Sequence, residues 1–156
     1  MTLTNTGPAV ELIDSFAAGH DKLWQGLGEC GTWWSGADRV AAVAEGRQAL
    51  CCELCRTRSE VLSPMMVPGE HDSISNLSAP AIDLIHRLAT DPGRLSRKWA
   101  SQIIDSMTEE AYVELVTVNC IQYVIDSFSR CLGLPLRELP QAGEGIPSRI
   151  RPDGGG

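Results

Sequence analysis

Apolar residues recur at three- and four-residue intervals along most of the chain, the spacing that lines up side chains on one face of an α-helix. The segment 107–132 shows this most clearly, with two apolar stripes: Tyr112, Val113, Val116, Cys120, Val124 and Phe128, and Leu115, Val118, Ile121, Ile125 and Leu132. A helix with two apolar faces is expected to be buried widely, in the core or in a subunit contact. Alternating β-branched runs bounded by hairpin turns are lacking in the sequence. The pattern therefore predicts an all-α fold.

Capping residues and prolines predict where the other helices begin. Ser78 with Pro80, and Asp91 with Pro92, each have the form of a helix start, and Ser106 or Thr108 caps the long segment. The predicted helices are 8–18, 37–50, 52–62, 79–89, a helix that starts at 92, and 107–132. Trp-rich residues 23–36 and residues 65–78 are predicted to be loops.

The length of 156 residues and the 43% apolar content predict one folded domain, residues 1–139, with a core of ordinary size. Residues 140–156 are rich in proline and glycine, so we expect a flexible tail there.

Charge and hydropathy exclude several classes of partner. The net charge is −7 and no basic run is dense, which argues against nucleic-acid binding. No stretch of about 18 apolar residues predicts a membrane span. The N-terminus lacks a basic and an apolar signal region, so we expect a cytoplasmic, reducing location. There the six cysteines favour catalysis or metal binding over a disulfide framework, with Cys120 and Cys131 as buried packing residues.

The segment QALCCELCRTRSE, residues 48–60, contains Cys51, Cys52 and Cys55. A C-x-x-C in the first helical turn brings two sulfurs close enough for a disulfide, and the helix dipole favours a thiolate at the first cysteine, here Cys52. Two alternatives stay open: three cysteines that only pack, or a structural zinc site made of Cys51, Cys52, Cys55 and His71.

The redox interpretation is strengthened by a family resemblance that covers residues 32–140. GTWWSGADRVAAVAEGRQALCCELC has an Ala-rich helix preceded by Asp38-Arg39 and followed by the C-x-x-C, and MTEEAYVELVTVNCIQYVIDSFSRCLGLPL follows downstream. This combination resembles the alkylhydroperoxidase D-like, or carboxymuconolactone decarboxylase-like, superfamily. The resemblance implies an all-helical bundle that assembles into homo-oligomers, trimers or larger.

The resemblance also implies a chemistry. Peroxidase members of this superfamily reduce hydroperoxides: the second cysteine of the motif attacks the peroxide, the first resolves the sulfenic acid as a disulfide, and a dithiol or thioredoxin-like partner reduces it. By this resemblance Cys55 attacks and Cys52 resolves, the reverse of the helix-dipole argument, and we adopt Cys55. We expect neither a cofactor nor a metal.

Two positions depart from the pattern of those peroxidases. Ser59 stands where they carry a His, and Val40 where they carry a Glu. Glu45, Asp38 and His71 are the candidates for proton transfer in their place, whereas His86 is interpreted as a packing or hydrogen-bonded residue. The departures motivate an alternative function, a catalytically degenerate binding or assembly protein of the same fold.

Overall fold

The computed structural model describes residues 14–151, and helices are the only regular secondary structure in that range. They are α1 (Asp14–Gly28), α2 (Gly36–Gln48), α3 (Glu53–Ser59), α4 (Ala79–Thr90), α5 (Arg97–Ser106) and α6 (Glu109–Cys131). Single 3₁₀ turns lie at Ala49–Cys51, Pro64–Met66 and Pro92–Arg94. The all-α prediction is confirmed for these residues. Within the same range, no helix has the length and apolar character needed to cross a bilayer.

The core lies where α2, α4 and α6 pack against one another. Of the two apolar stripes on α6, the one that contains Leu115, Val118 and Ile125 is buried at these three residues and partly buried at its other two. The other stripe is largely open: Val124 is 58% exposed, and Cys120 is exposed as well. Cys131 is also exposed, so the prediction that Cys120 and Cys131 are buried packing residues is wrong.

A close approach of α2 to α6 depends on Gly46. A Cβ atom at this position would lie 2.5 Å from Oε1 of Gln122 on α6, which is closer than packing allows. The next residue, Arg47, donates two hydrogen bonds of 2.8 Å to the buried carboxylate of Asp126. Glycine weakens α2 as an isolated helix, but here it lets the two helices meet. These contacts fix the register of α2 and therefore the position of Glu45, which directly precedes Gly46.

The helix boundaries agree with the predictions only in part, and α3, predicted to end at 62, ends at Ser59. The first helix continues to Gly28, through part of the segment predicted to be a loop, and positions 8–13 lie outside the described residues. Pro92 starts only a 3₁₀ turn; α5 begins later, after Ser96, whose Oγ accepts the Trp99 N–H at 3.2 Å. Thr108, the alternative cap, is the N-cap of α6. In the last three cases a side-chain cap or continued packing decided the boundary.

The C-terminal segment lies along the helices without forming one. Gly143 N–H donates to the Gly28 carbonyl at 2.8 Å, and Arg149 N–H donates to the Thr32 carbonyl at 2.9 Å. Pro140 is buried. Two backbone hydrogen bonds thus connect this segment to the helical part of the chain. The flexibility of residues 140–156 stays a prediction.

Candidate functional site

The C-x-x-C lies at a break in the helical backbone. The 3₁₀ turn Ala49–Cys51 ends at Cys52, which adopts extended angles (φ −71°, ψ 125°) and is the N-cap of α3. Cys55 follows in the first turn of α3. The exposed fractions of Cys52 and Cys55 are 1% and 5%, whereas Cys51 points outward and is exposed. The local backbone thus separates a buried pair from its neighbour in sequence.

Two histidines meet this pair from other parts of the chain. His71 comes from the segment that precedes α4, and its Nδ1 lies 3.6 Å from Cys52 Sγ and 3.4 Å from Cys55 Sγ. His86 is on α4, and its Nδ1 lies 3.4 Å from Cys55 Sγ. Cys55 Sγ is therefore in contact with both imidazole rings.

Each imidazole ring is oriented by a carboxylate at Nε2, the nitrogen on the side of the ring opposite the sulfurs. Nε2 of His86 lies 3.0 Å from Oε2 of Glu45, and Nε2 of His71 lies 2.9 Å from Oδ1 of Asp83. A carboxylate only accepts hydrogen bonds, so each Nε2 carries a proton and each Nδ1 faces sulfur. Arg58 Nη1 lies 3.3 Å from the same Nε2 of His71, but two donors do not form a hydrogen bond, so Asp83 is the partner of this N–H.

Glu45 is a fully buried carboxylate that is well hydrogen-bonded. Its Oε1 accepts the Ser73 hydroxyl at 2.6 Å and the backbone N–H groups of Ile74 and Ser75 at 2.9 and 2.8 Å. Burial raises its pKa, but these bonds and the one from His86 outweigh burial and lower the pKa to about 2. Glu45 is therefore ionised, and only its second oxygen is left for His86.

The two histidines differ in charge. Burial lowers the pKa of His71, but hydrogen bonds to Asp83 and to both sulfurs raise it overall to about 10. For His86, burial lowers the pKa, and the nearby charge on His71 lowers it further despite the opposing effect of Glu45. At neutral pH the site therefore holds an imidazolium at His71 beside a neutral imidazole at His86.

The two cysteines differ as well. Burial raises the pKa of the Cys52 thiol, but hydrogen bonds from the N–H groups of Asp72 and Cys55 and from the His71 side chain lower it overall. The Asp72 N–H lies 3.5 Å from Cys52 Sγ. These hydrogen bonds favour the thiolate form of Cys52, in the direction that the helix-dipole argument predicted. Cys55 lies beside the neutral imidazole of His86.

A cavity of about 420 Å³ opens beside the pair. Its wall includes Cys52, Cys55, Arg56 and Thr90, so a small molecule can reach the sulfurs although both residues are nearly covered. A cavity of about 520 Å³ lies elsewhere, between Arg39, Glu114 and neighbouring residues, and contains no sulfur or imidazole. The two cysteines in its wall make the cavity of about 420 Å³ the better candidate for the functional site.

The structure brings four of the five predicted site residues together: Cys52, Cys55, Glu45 and His71. Asp38 is not among them. It forms the capping box of α2, where its carboxylate accepts the Ser35 hydroxyl at 2.6 Å. Its carboxylate stabilises the N-terminus of α2, where a negative charge offsets the helix dipole.

Sequence reasoning missed two members of the site, Asp83 and His86. They lie three residues apart on α4, so they share one face of the helix, and this spacing is the signal that could have found them. Ser59, at the position where the resembling peroxidases carry a His, is exposed and donates to the Arg56 carbonyl at 2.7 Å. Ser59 is thus not in contact with the sulfurs, and the two imidazoles beside Cys55 come from α4 and from the segment that precedes it.

Comparisons with protein-family models, with curated proteins and with solved structures find no match. The functional interpretation therefore rests on the geometry and charge of the site.

Proposed function

We propose that this protein is a thiol-dependent peroxidase of the alkylhydroperoxidase D-like kind, which reduces hydroperoxides with Cys52 and Cys55. One observation carries the proposal. Cys55 Sγ lies 3.4 Å from Nδ1 of the neutral His86, and the buried carboxylate of Glu45 holds the opposite ring nitrogen at 3.0 Å. A nucleophile, a base within hydrogen-bond reach and a group that orients the base form the arrangement that activates a thiol.

In the first step, His86 Nδ1 takes the proton of the Cys55 thiol as the sulfur attacks the terminal peroxide oxygen. The O–O bond breaks, Cys55 becomes a sulfenic acid, and the departing alkoxide receives the proton from His86. Glu45 remains ionised throughout and stabilises the transient imidazolium.

In the second step, the Cys52 thiolate attacks Cys55 Sγ and displaces hydroxide, which receives a proton from the His71 imidazolium. A disulfide and one water result. Across both steps two thiol sulfurs lose two electrons, which the O–O bond accepts, and the protons come from Cys55 and His71. The lowered pKa of Cys52 favours this role, because hydrogen bonds from its surroundings stabilise the thiolate that attacks.

A dithiol closes the cycle by thiol–disulfide exchange. The cavity beside the pair admits a small dithiol or the reactive end of a thioredoxin-like protein. Homo-oligomers are part of the same proposal, and the exposed apolar stripe on α6 around Val124 and Tyr123 gives a surface for such contacts. The mass of the native protein in solution tests this part of the proposal, and we expect the mass of a trimer or a larger oligomer.

Reduced, metal-free protein treated with one equivalent of tert-butyl hydroperoxide, without reductant, should lose two thiols per chain. Peptide mapping by mass spectrometry should find a Cys52–Cys55 disulfide, because these sulfurs are adjacent and face the bases. The exposed Cys51, Cys120 and Cys131 should stay reduced. Cys51→Ser is the matched control and should give the same map. Equal oxidation of all cysteines, or a disulfide that includes Cys51, would refute the proposal.

A further inference from the structure

We propose that the reduced protein also binds one Zn²⁺ ion per chain, with Cys52 Sγ, Cys55 Sγ, His71 Nδ1 and His86 Nδ1 as ligands. This inference does not require the peroxidase reaction, since it depends only on the arrangement of the four donors. Their ligand atoms all lie within 4.8 Å of one another. Two thiolates and two imidazoles are a donor set that Zn²⁺ prefers in structural sites.

The spacing of the donors fits a tetrahedral ion. With Zn–S near 2.3 Å and Zn–N near 2.0 Å, tetrahedral angles place sulfur and nitrogen ligands about 3.5 Å apart. Three of the four sulfur–nitrogen distances in the cluster are 3.4, 3.4 and 3.6 Å, and the fourth, between Cys52 and His86, is within 4.8 Å. Three of the six ligand–ligand spacings thus already match those of a tetrahedral Zn²⁺ ion.

The surroundings of the two histidines fit a metal site independently. A histidine that binds a metal through one ring nitrogen usually donates its other N–H to a carboxylate, which fixes the tautomer and makes the ring a better ligand. Both rings have this partner: Glu45 at Nε2 of His86 and Asp83 at Nε2 of His71. Both rings thus present Nδ1 toward the same point between the sulfurs.

The charges near this point also balance. The formal charges of Zn²⁺, Arg58 and Arg87 equal those of the two thiolates, Asp83 and Glu45, and both arginines pair with Asp83, at 3.2 and 3.1 Å. The ligands are almost fully buried, His86 completely so and the His71 side chain 7% exposed. A buried site with no net charge holds the ion without a large desolvation cost.

Zn²⁺ binding would place the protein in a protected state, because both sulfurs that face hydroperoxide would be metal ligands. Oxidation would release the ion: two zinc-bound thiolates, one hydroperoxide and two protons give a disulfide, an alcohol, water and free Zn²⁺. Two electrons pass from the sulfurs to the O–O bond, and the metal keeps its charge.

The test uses the full chain, reduced and freed of metal, under anaerobic conditions and without peroxide, so its outcome is separate from that of the peroxidase assay. Titration with Zn²⁺ against a chromogenic chelator should give one ion per chain. Co²⁺ should give the intense visible bands of a tetrahedral ion and the charge-transfer band of thiolate ligands. The Co²⁺ spectrum reads the ligand set of the wild-type protein without any substitution.

Variants then assign the ligands. Cys52→Ser and His71→Asn should each weaken Zn²⁺ binding by at least about 100-fold, and Asp83→Asn by about 10- to 100-fold. Cys51→Ser is the matched control and should bind as the wild type does, because Cys51 is exposed and outside the cluster. Substoichiometric binding, an octahedral Co²⁺ spectrum, or a Cys51→Ser defect equal to that of Cys52→Ser would overturn the proposal.

Discussion

Replacement of Cys55 by serine should abolish dithiol-dependent hydroperoxide turnover, with kcat/KM lower by about 10³-fold or more. The serine hydroxyl keeps its place beside His86, but it is not an effective nucleophile toward an O–O bond. The measurement is consumption of tert-butyl hydroperoxide with dithiothreitol as reductant, and helical content by circular dichroism checks the fold. Cys51→Ser should turn over like the wild type.

Cys52→Ser separates the two sulfur roles. Without its resolving partner, Cys55 should still consume one hydroperoxide per chain and then accumulate as a sulfenic acid, which dimedone traps and mass spectrometry locates. The low pKa of Cys52 makes the reverse assignment a real competitor. If the Cys55→Ser variant instead forms a sulfenic acid at Cys52 at the wild-type rate, Cys52 is the attacking cysteine and Cys55 the resolving one.

Glu45→Gln should lower kcat/KM by about 10² to 10⁴-fold although the side-chain shape is kept. Three donors, the Ser73 hydroxyl and the N–H groups of Ile74 and Ser75, surround Oε1 and require an oxygen there. The glutamine –NH₂ must therefore face His86. His86 then protonates Nδ1 instead of Nε2, and Cys55 loses its base.

Nitrogen chemical shifts of the imidazole rings provide a readout of this tautomer change. In the reduced wild type, His86 Nδ1 should be unprotonated, and in Glu45→Gln it should carry the proton. Glu60→Gln, an exposed carboxylate on the surface beyond α3, is the matched control and should change neither rate nor shift. A Glu45→Gln protein with normal turnover would mean that the relay through His86 is not used.

The helical class could be predicted from the sequence because apolar residues at helical spacing identify a buried face such as Leu115 and Ile125 on α6. The same periodicity does not distinguish a buried stripe from an exposed one. For this reason the pattern predicts that Cys120 is buried, whereas it is exposed. Continuation of α1 to Gly28 and attachment of residues 140–151 depend on contacts far apart in sequence, such as Gly143 with Gly28, which no local pattern encodes.

The candidate site was predictable where its residues are close in sequence, as Cys52 and Cys55 are. Glu45 and His71 are predicted as substitutes for the proton-transfer groups of the resembling peroxidases. The structure places His71 against both sulfurs and Glu45 against His86. His86 lay in an apolar helical stripe, which is typical of a packing residue, and only the fold of α4 against α3 shows that its Nδ1 faces Cys55. Asp38 was named as an acid near the motif, but its local capping bond holds it elsewhere.

The central claim is that the fold activates Cys55 toward hydroperoxides, and a single-turnover rate tests it most directly. Reduced, metal-free wild type is mixed rapidly with excess tert-butyl hydroperoxide and compared with the Cys55→Ser variant, which keeps Cys52 and the other four cysteines as a background. We expect the wild type to react faster by about 10³-fold, as a positioned base and buried thiol allow. Equal rates for the two proteins would contradict the account.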